Sequence, residues 1–215
     1  MSVYGGPDII TDGLQLHWDV ANKKSYPGDG SLLDLSGNNR HGTKAGTVTF
    51  IDEFGGIIQF SASSFSRYYN SNANFQYSDC TVIAASRYYG YAKQRTIASY
   101  AGNWLLGHWA GRTTAHYAEG WITSPSATND TTWRIYASTV DYSADLYKMY
   151  VDGAVISSSN AGQLGGPNGI SVGGFSGNAE YSDGQFSFIQ IYNRVLSADE
   201  ISQNYNALKG RYGLT

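Results

Sequence analysis

Lys148-Met149-Tyr150-Val151-Asp152-Gly153-Ala154-Val155-Ile156-Ser157 reads as two extended runs, Lys148–Val151 and Ala154–Ser157, joined by the pair Asp152-Gly153. A two-residue loop matches the twist of its flanking strands when both central residues take positive φ, and Asp-Gly accepts that conformation. The stretch is a β-hairpin. Outward from it, the same alternation recurs. Leu14-Gln15-Leu16-His17-Trp18 alternates apolar and polar residues, the period of a half-buried strand. Further strands are predicted over Thr47–Ile51, Ile57–Phe60, Thr81–Ser86, Arg95–Tyr100, Trp104–Trp109, Thr113–Ala118, Thr132–Thr139, Gly169–Gly173 and Gln185–Tyr192. Dense turn signals, Ser25-Tyr26-Pro27-Gly28-Asp29-Gly30 and Ser36-Gly37-Asn38-Asn39, bracket Leu32–Leu35 in a long ordered loop.

Composition agrees. The 215 residues include 26 Gly, 18 Tyr and 5 Trp against 4 Pro and 2 Met, which describes many turns joining aromatic-rich strands. A net charge of −3 gives no electrostatic reason to expect nucleic acid or an anionic membrane as partner. No apolar run approaches the roughly 18 to 20 residues that span a bilayer. Cys80, the single cysteine, cannot form an internal disulfide and reads as a small buried hydrophobe. One helix is predicted near the end. Ser197-Ala198-Asp199-Glu200 fits a capping box, and Ile201, Tyr205 and Leu208 follow on one face, with Gly210 placed to end it. About a dozen strands and one capped helix make an all-β, double-sheet jelly roll. Without an internal repeat or composition break, the organisation is an N-terminal arm, residues 1–12, and one domain, residues 13–215. The arm, with its Gly5-Gly6-Pro7 break, is expected to order only against a partner chain, anchored by Tyr4, Ile9 and Ile10.

Several of these residues also carry a family resemblance. Gly13-Leu14-Gln15-Leu16-His17-Trp18-Asp19, Ser25-Tyr26-Pro27-Gly28 and Asp34-Leu35-Ser36-Gly37-Asn38 resemble the opening of laminin-G-like domains of the concanavalin A-like lectin/glucanase superfamily. Tyr150-Val151-Asp152-Gly153, Ile191-Tyr192-Asn193-Arg194-Val195-Leu196-Ser197, Glu200-Ile201 and Asn204-Tyr205 resemble its ending. The resemblance spans residues 13 to 212 and implies a concanavalin A-like jelly-roll β-sandwich with one short C-terminal helix. It looks most like the versions found among bacteriophage structural proteins. It does not choose a function, because the fold hosts lectins, hydrolases, receptor modules and virion proteins.

Catalysis finds little support. Retaining glycoside hydrolysis needs two carboxylates about 5 to 5.5 Å apart, which one strand supplies as Glu-x-Asp-x-Glu. No such run exists, and the glutamates are only Glu53, Glu119, Glu180 and Glu200. No nucleophile elbow opens a helix; Gly174-Phe175-Ser176-Gly177 falls in a turn. His17, His41, His108 and His116 are scattered, and even if His108 and His116 face each other they lack the acid a metal site wants. Asp8, Asp12, Asp29, Asp34 and Asn38 form no contiguous calcium-ligand run and read as turn formers. Leu164-Gly165-Gly166-Pro167 lacks the lysine and helix start of a phosphate loop. The expectation is therefore no catalytic residue, no metal and no cofactor.

Aromatic residues are the informative surface feature. Alternation puts Trp104 and His108 on one face of their strand and Leu105 and Trp109 on the other. A strand running on through His116-Tyr117-Ala118-Glu119-Gly120-Trp121 places Tyr117, Glu119 and Trp121 together. One candidate ligand site is thus Trp109, Arg112, Tyr117, Glu119 and Trp121, where rings stack on sugar C–H faces and polar groups fix hydroxyls. A protein interface and plain core filling are the competing readings of the same residues. Tyr68-Tyr69-Asn70 and Arg87-Tyr88-Tyr89-Gly90-Tyr91 are Tyr clusters in turn-like contexts, of the kind enriched at interfaces. The leading functional expectation is a non-enzymatic virion structural protein, a head decoration or tail component. It would be made in the host cytoplasm without a signal peptide and would assemble with other virion proteins or copies of itself. The alternative is a glycan-binding adhesin recognising host surface polysaccharide; a glycoside hydrolase is third.

Overall fold

The computed structural model describes residues 7–125, 130–175 and 179–215. Asp152 and Gly153 have φ of 50° and 80°, the two positive values of a type I′ turn, and their hairpin forms one edge of an antiparallel sheet. In chain order the strands are β1 (Leu14–Asp19), β2 (Thr43–Ala45), β3 (Thr49–Ile51), β4 (Ile57–Phe60), β5 (Arg67–Asn74) and β6 (Asp79–Tyr88). Next come β7 (Ile97–Ala98), β8 (Trp104–Trp109), β9 (Arg112–Ala118), β10 (Trp121–Thr123), β11 (Arg134–Asp141) and β12 (Leu146–Val151). The last are β13 (Ala154–Ser159), β14 (Asn168–Val172), β15 (Gly174–Phe175), β16 (Glu180–Tyr181) and β17 (Gly184–Tyr192), followed by the helix α1 (Ala198–Leu208). One sheet runs β13-β12-β11-β6-β17-β4-β3, with β1 also paired to β17; the other runs β10-β9-β8-β7-β14-β5-β2. A small β15–β16 ribbon stands apart.

The two large sheets bury one core between them, built from the inward residues of both: Trp18, Phe60, Val82, Tyr136 and Ile189 from the first, Tyr68, Ile97, Trp104, Leu106 and Ile170 from the second. A second apolar cluster lies on the opposite face of the first sheet. There Ile83, Ile135, Phe188 and Tyr192 pack under Ile201, Tyr205 and Leu208 of α1. The capping box is formed: Ser197 Oγ accepts from the Glu200 N–H at 3.2 Å, and Glu200 Oε2 accepts from the Ser197 N–H at 2.8 Å. Gly210 does not end the helix. The chain tightens into a 3₁₀ turn over Lys209–Tyr212, and Gly213, at φ 66°, stops it. Tyr212 is thereby buried against Trp133, rings 5.0 Å apart. The helix thus covers the outer face of the first sheet; the outer face of the second carries the β15–β16 ribbon beside β7 and β14 instead.

Three sequence expectations are corrected. Tyr68-Tyr69-Asn70, read as a turn-like Tyr cluster, lies within strand β5; the strand's Asn and Ser content is tolerated because β14 and β2 pair with it on either side. Tyr68 and Tyr88 are fully buried and present no surface. The arm does not wait for a partner over residues 7–12. Ile9 and Ile10 pack on the α1 cluster, the Ile10 N–H donates to Asn204 Oδ1 at 2.7 Å, and the Tyr192 hydroxyl donates to the Ile10 carbonyl at 3.0 Å. The helix supplies the apolar surface that the segment lacks on its own. Tyr4 lies outside the described residues.

Candidate functional site

On β8, Trp104 and Leu106 enter the core, joined by His108 at the same alternation, while Leu105 and Trp109 face outward; the register shift between Gly107 and His108 leaves Thr114 of β9 as the extra residue. β9 pairs antiparallel, with Tyr117 opposite Leu105 and Arg112 opposite Trp109, so these four share the outer face. The strand does not then run on. Glu119 takes φ 52° and the chain reverses, so β10 returns with Trp121 opposite Tyr117. Tyr117 and Trp121 do meet, but across a hairpin. Their rings are 5.0 Å apart and edge-on, and Trp121 also contacts Trp109 at 5.5 Å.

The reversal is clamped. Asn103 and Glu119 are tied twice, the Asn103 N–H donating to Glu119 Oε1 at 3.2 Å and the Glu119 N–H to the Asn103 carbonyl at 3.3 Å. The loop at Ala161 crosses so close to Gly120 that a Cβ there would lie 1.7 Å from the Ala161 carbonyl oxygen, and only glycine fits. Glu119 is therefore a clasp beneath the aromatic cluster. Arg112 sits at the far end of the β8–β9 hairpin and is exposed.

Between these elements lies a hollow of about 60 Å³ lined by Arg95, Asn103, Leu105, Trp109, Tyr117 and Trp121. The candidate trio Trp109, Tyr117 and Trp121 is brought together here; Arg112 and Glu119 do not line it. Arg95 and Asn103 were missed, because no local pattern marks a lone Arg or Asn as a site residue. Arg95 is only 3% exposed, lies over the Phe175 ring at 4.7 Å and pairs through Nε with Glu180 on β16. Its Nη1 has no partner, and neither has Asn103 Oδ1 or Trp109 Nε1, all three atoms being buried. An unsatisfied buried polar atom costs about 1 to 3 kcal/mol, and the three residues that carry these atoms all line the hollow.

The same face continues past the β15–β16 ribbon, where Arg67 lies over Tyr69 and Tyr100 at 4.6 and 5.7 Å and the two tyrosines stack at 5.1 Å. A larger groove, about 810 Å³, lies between residues 7–9 and the end of α1. At its floor Arg211 forms two bonds to Asp19, at 2.7 and 2.9 Å, so its charges satisfy each other. Among the described residues that line it, the orphan polar atom is His17 Nε2 and the aromatic wall is Phe54. The hollow on the second sheet has the stronger claim.

His108 and His116 are both completely buried, and the register sets His108 opposite Thr113 and His116 opposite Leu106 rather than facing each other. Burial holds His108 at about 3 and His116 at about 4, so both are neutral core residues. Asp34 spends its carboxylate on the N–H groups of His17, Ser36 and Arg40, at 2.9 to 3.0 Å. Among the described residues no group of three or more His, Cys, Asp or Glu is placed to hold a metal.

Residues 57–202 match the family Laminin_G_3, described as concanavalin A-like lectin/glucanases superfamily. No curated protein sequence matches the chain. Among solved structures, the binding domain of Paraclostridial Mosquitocidal Protein 1 superposes with a TM-score of 0.69 at 16% identity, over 95% of this chain and 56% of that one. The binding domain of botulinum neurotoxin DC, in complex with rat synaptotagmin II, gives 0.67 at 14%, over 93% and 52%. Domain 4 of an extracellular GH43 arabinanase from Geobacillus stearothermophilus, in complex with arabinotriose, gives 0.64 at 16%, over 89% and 98%. The chain spans about half the length of the toxin domains and nearly the whole of the arabinanase domain. At these identities the likeness is one of fold.

Proposed function

The chain belongs to the concanavalin A-like lectin/glucanase superfamily, and from that premise we propose that it is a glycan-binding module whose site is the hollow between β8, β9 and β10. One observation carries the reading: the outer face of the second sheet, which α1 does not cover, bears three half-buried aromatic rings beside residues with unpartnered donors and an acceptor. Rings half in and half out of the surface offer a platform for sugar C–H faces, and the orphan atoms offer the polar contacts that orient a ligand. The arabinotriose complex of a domain of matching size and the receptor complex of a toxin domain support a binding rather than a chemical role. So does the use of the nearby acids, since Glu119 clasps Asn103 and Glu180 neutralises Arg95.

Titration calorimetry against a panel of oligosaccharides tests it. Trp121→Ala should weaken the ligand found by about tenfold or more, roughly 1.4 kcal/mol, with the melting temperature little changed. Unaltered affinity in that variant would remove the site from this face. The virion reading keeps one supporting observation. Tyr91 is fully exposed and Tyr89 is 55% exposed on a loop whose N–H groups, at Tyr91 and Ala92, are pinned to Asp183 Oδ2 at 3.0 Å. A rigid loop displaying tyrosines suits a protein contact. Co-sedimentation with particles, lost in a Tyr89→Ser/Tyr91→Ser variant, tests that reading.

A further inference from the structure

We infer that the hollow receives the acetamido group of an N-acetylated sugar, an inference that rests on the glycan-binding reading above. Three constraints select that group. The first is size: at about 60 Å³ the hollow is far below the roughly 300 to 1,000 Å³ of clefts that take up whole ligands, so it suits a substituent of a few heavy atoms rather than a pyranose ring. The ring must stay outside, on Trp121 and its neighbours.

The second is charge. The Arg95 guanidinium is already neutralised by Glu180, so the buried wall carries no uncompensated cation. A carboxylate would bring a surplus negative charge into a site where Asn103 Oδ1 also needs a donor, which an ionised carboxylate lacks.

The third is the pattern of orphan atoms. Arg95 Nη1 and Trp109 Nε1 are donors, and Asn103 Oδ1 is an acceptor. An acetamide answers all three: its carbonyl oxygen has lone pairs for the two N–H groups, and its own N–H donates to Asn103. Its methyl then faces the apolar remainder of the lining, Leu105, Tyr117 and Trp121. A vicinal diol meets the polar pattern but leaves Leu105 and the ring walls against hydroxyls.

The test uses the whole chain and three methyl glycosides that differ at one position: 2-acetamido-2-deoxyglucose, glucose, and 2-O-acetylglucose, which keeps the carbonyl and methyl but loses the N–H. The acetamido compound should bind about tenfold more tightly than either of the others, the size of one well-formed buried hydrogen bond. The Trp109 indole N–H resonance, one of five in the protein, should shift on binding while that of Trp104 stays. Asn103→Ala should bring the acetamido compound down to the level of the O-acetyl one, and its indole spectrum reports whether the fold persists. Equal affinity for the three glycosides, all lost in Trp121→Ala, would overturn the acetamido inference and leave the glycan reading standing. Binding of Nε-acetyl-lysine but of no saccharide would overturn both, as would a hollow that binds none of the probes.

Discussion

Acid should destabilise this domain well before its carboxylates titrate, and His108 and His116 are the reason. His108 Nδ1 is 2.8 Å from Thr96 Oγ1, and its ring is packed between Tyr88 and Tyr136 at 4.5 and 5.1 Å. His116 donates from Nδ1 to the Leu105 carbonyl at 2.9 Å, and its Nε2 is buried without a partner. Neither ring has a carboxylate bonded to it, and at His108 burial and the charge of Arg134 outweigh the pull of Asp130. Both are therefore held far below the ordinary 6.5, at about 3 and about 4. Because the folded pKa lies below the unfolded one, the unfolded chain binds more protons across the interval. Stability is whole above pH 6.5 and falls as the pH drops through it. At pH 5 each histidine has lost about 1.5 pH units at roughly 1.4 kcal/mol per unit, or about 2 kcal/mol, and the pair about 4 kcal/mol. His17, also held down by burial, acts in the same direction. Asp130 and Glu200, both at about 2, add their loss only below about pH 4.5, so from 6.5 to 4.5 the loss comes from the histidines, while Asp152, pushed up by burial, acts in the opposite direction. Urea denaturation at half-unit steps from pH 8 to 4.5 measures the curve. His116→Gln should remove close to half of the slope. A free energy that stays level between pH 7.5 and 5 would refute the reasoning outright.

Three further outcomes are expected. Ser197→Ala should cost about 1 kcal/mol in chemical denaturation, since it removes the cap on the Glu200 N–H; a neutral result would show that the Arg194–Glu200 pair holds the helix start unaided. Gly107→Ala should cost more than about 2 kcal/mol, because φ is +94° and the new Cβ would lie 2.9 Å from the Tyr136 ring; a melting temperature within a degree of the parent would contradict the bulge geometry. Asn204→Ala should cost about 1 to 3 kcal/mol by orphaning the Ile10 N–H, and hydrogen exchange at Ile10 should accelerate while the β8–β9 amides stay protected; unchanged exchange would place the N-terminal segment off the helix.

What was legible in the sequence was what neighbours decide. Asp152-Gly153 satisfies its turn with its own two residues, Ser197 and Glu200 bond each other three positions apart, and the alternation of β8 sorts Trp104 from Trp109 without reference to any partner. Those signals were enough for the all-β class, the hairpin, the capped helix and the family. The binding face was legible only in part. Trp109, Tyr117 and Trp121 could be named as aromatic residues near one another, yet a continued strand and a reversed one both bring Tyr117 and Trp121 together, and only the tertiary structure chose. The reversal depends on Asn103 clasping Glu119 and on the Ala161 loop pressing against Gly120, contacts 16 and more residues apart. Strand β5 is held the same way, by β14 about a hundred residues onward. Arg95 reaches the hollow because Phe175 and Glu180 fold over it from a ribbon some 80 residues away. A charge buried by such distant partners leaves no mark on its own neighbours in the chain, because nothing but the closed sandwich brings its partners and its occupant's space together.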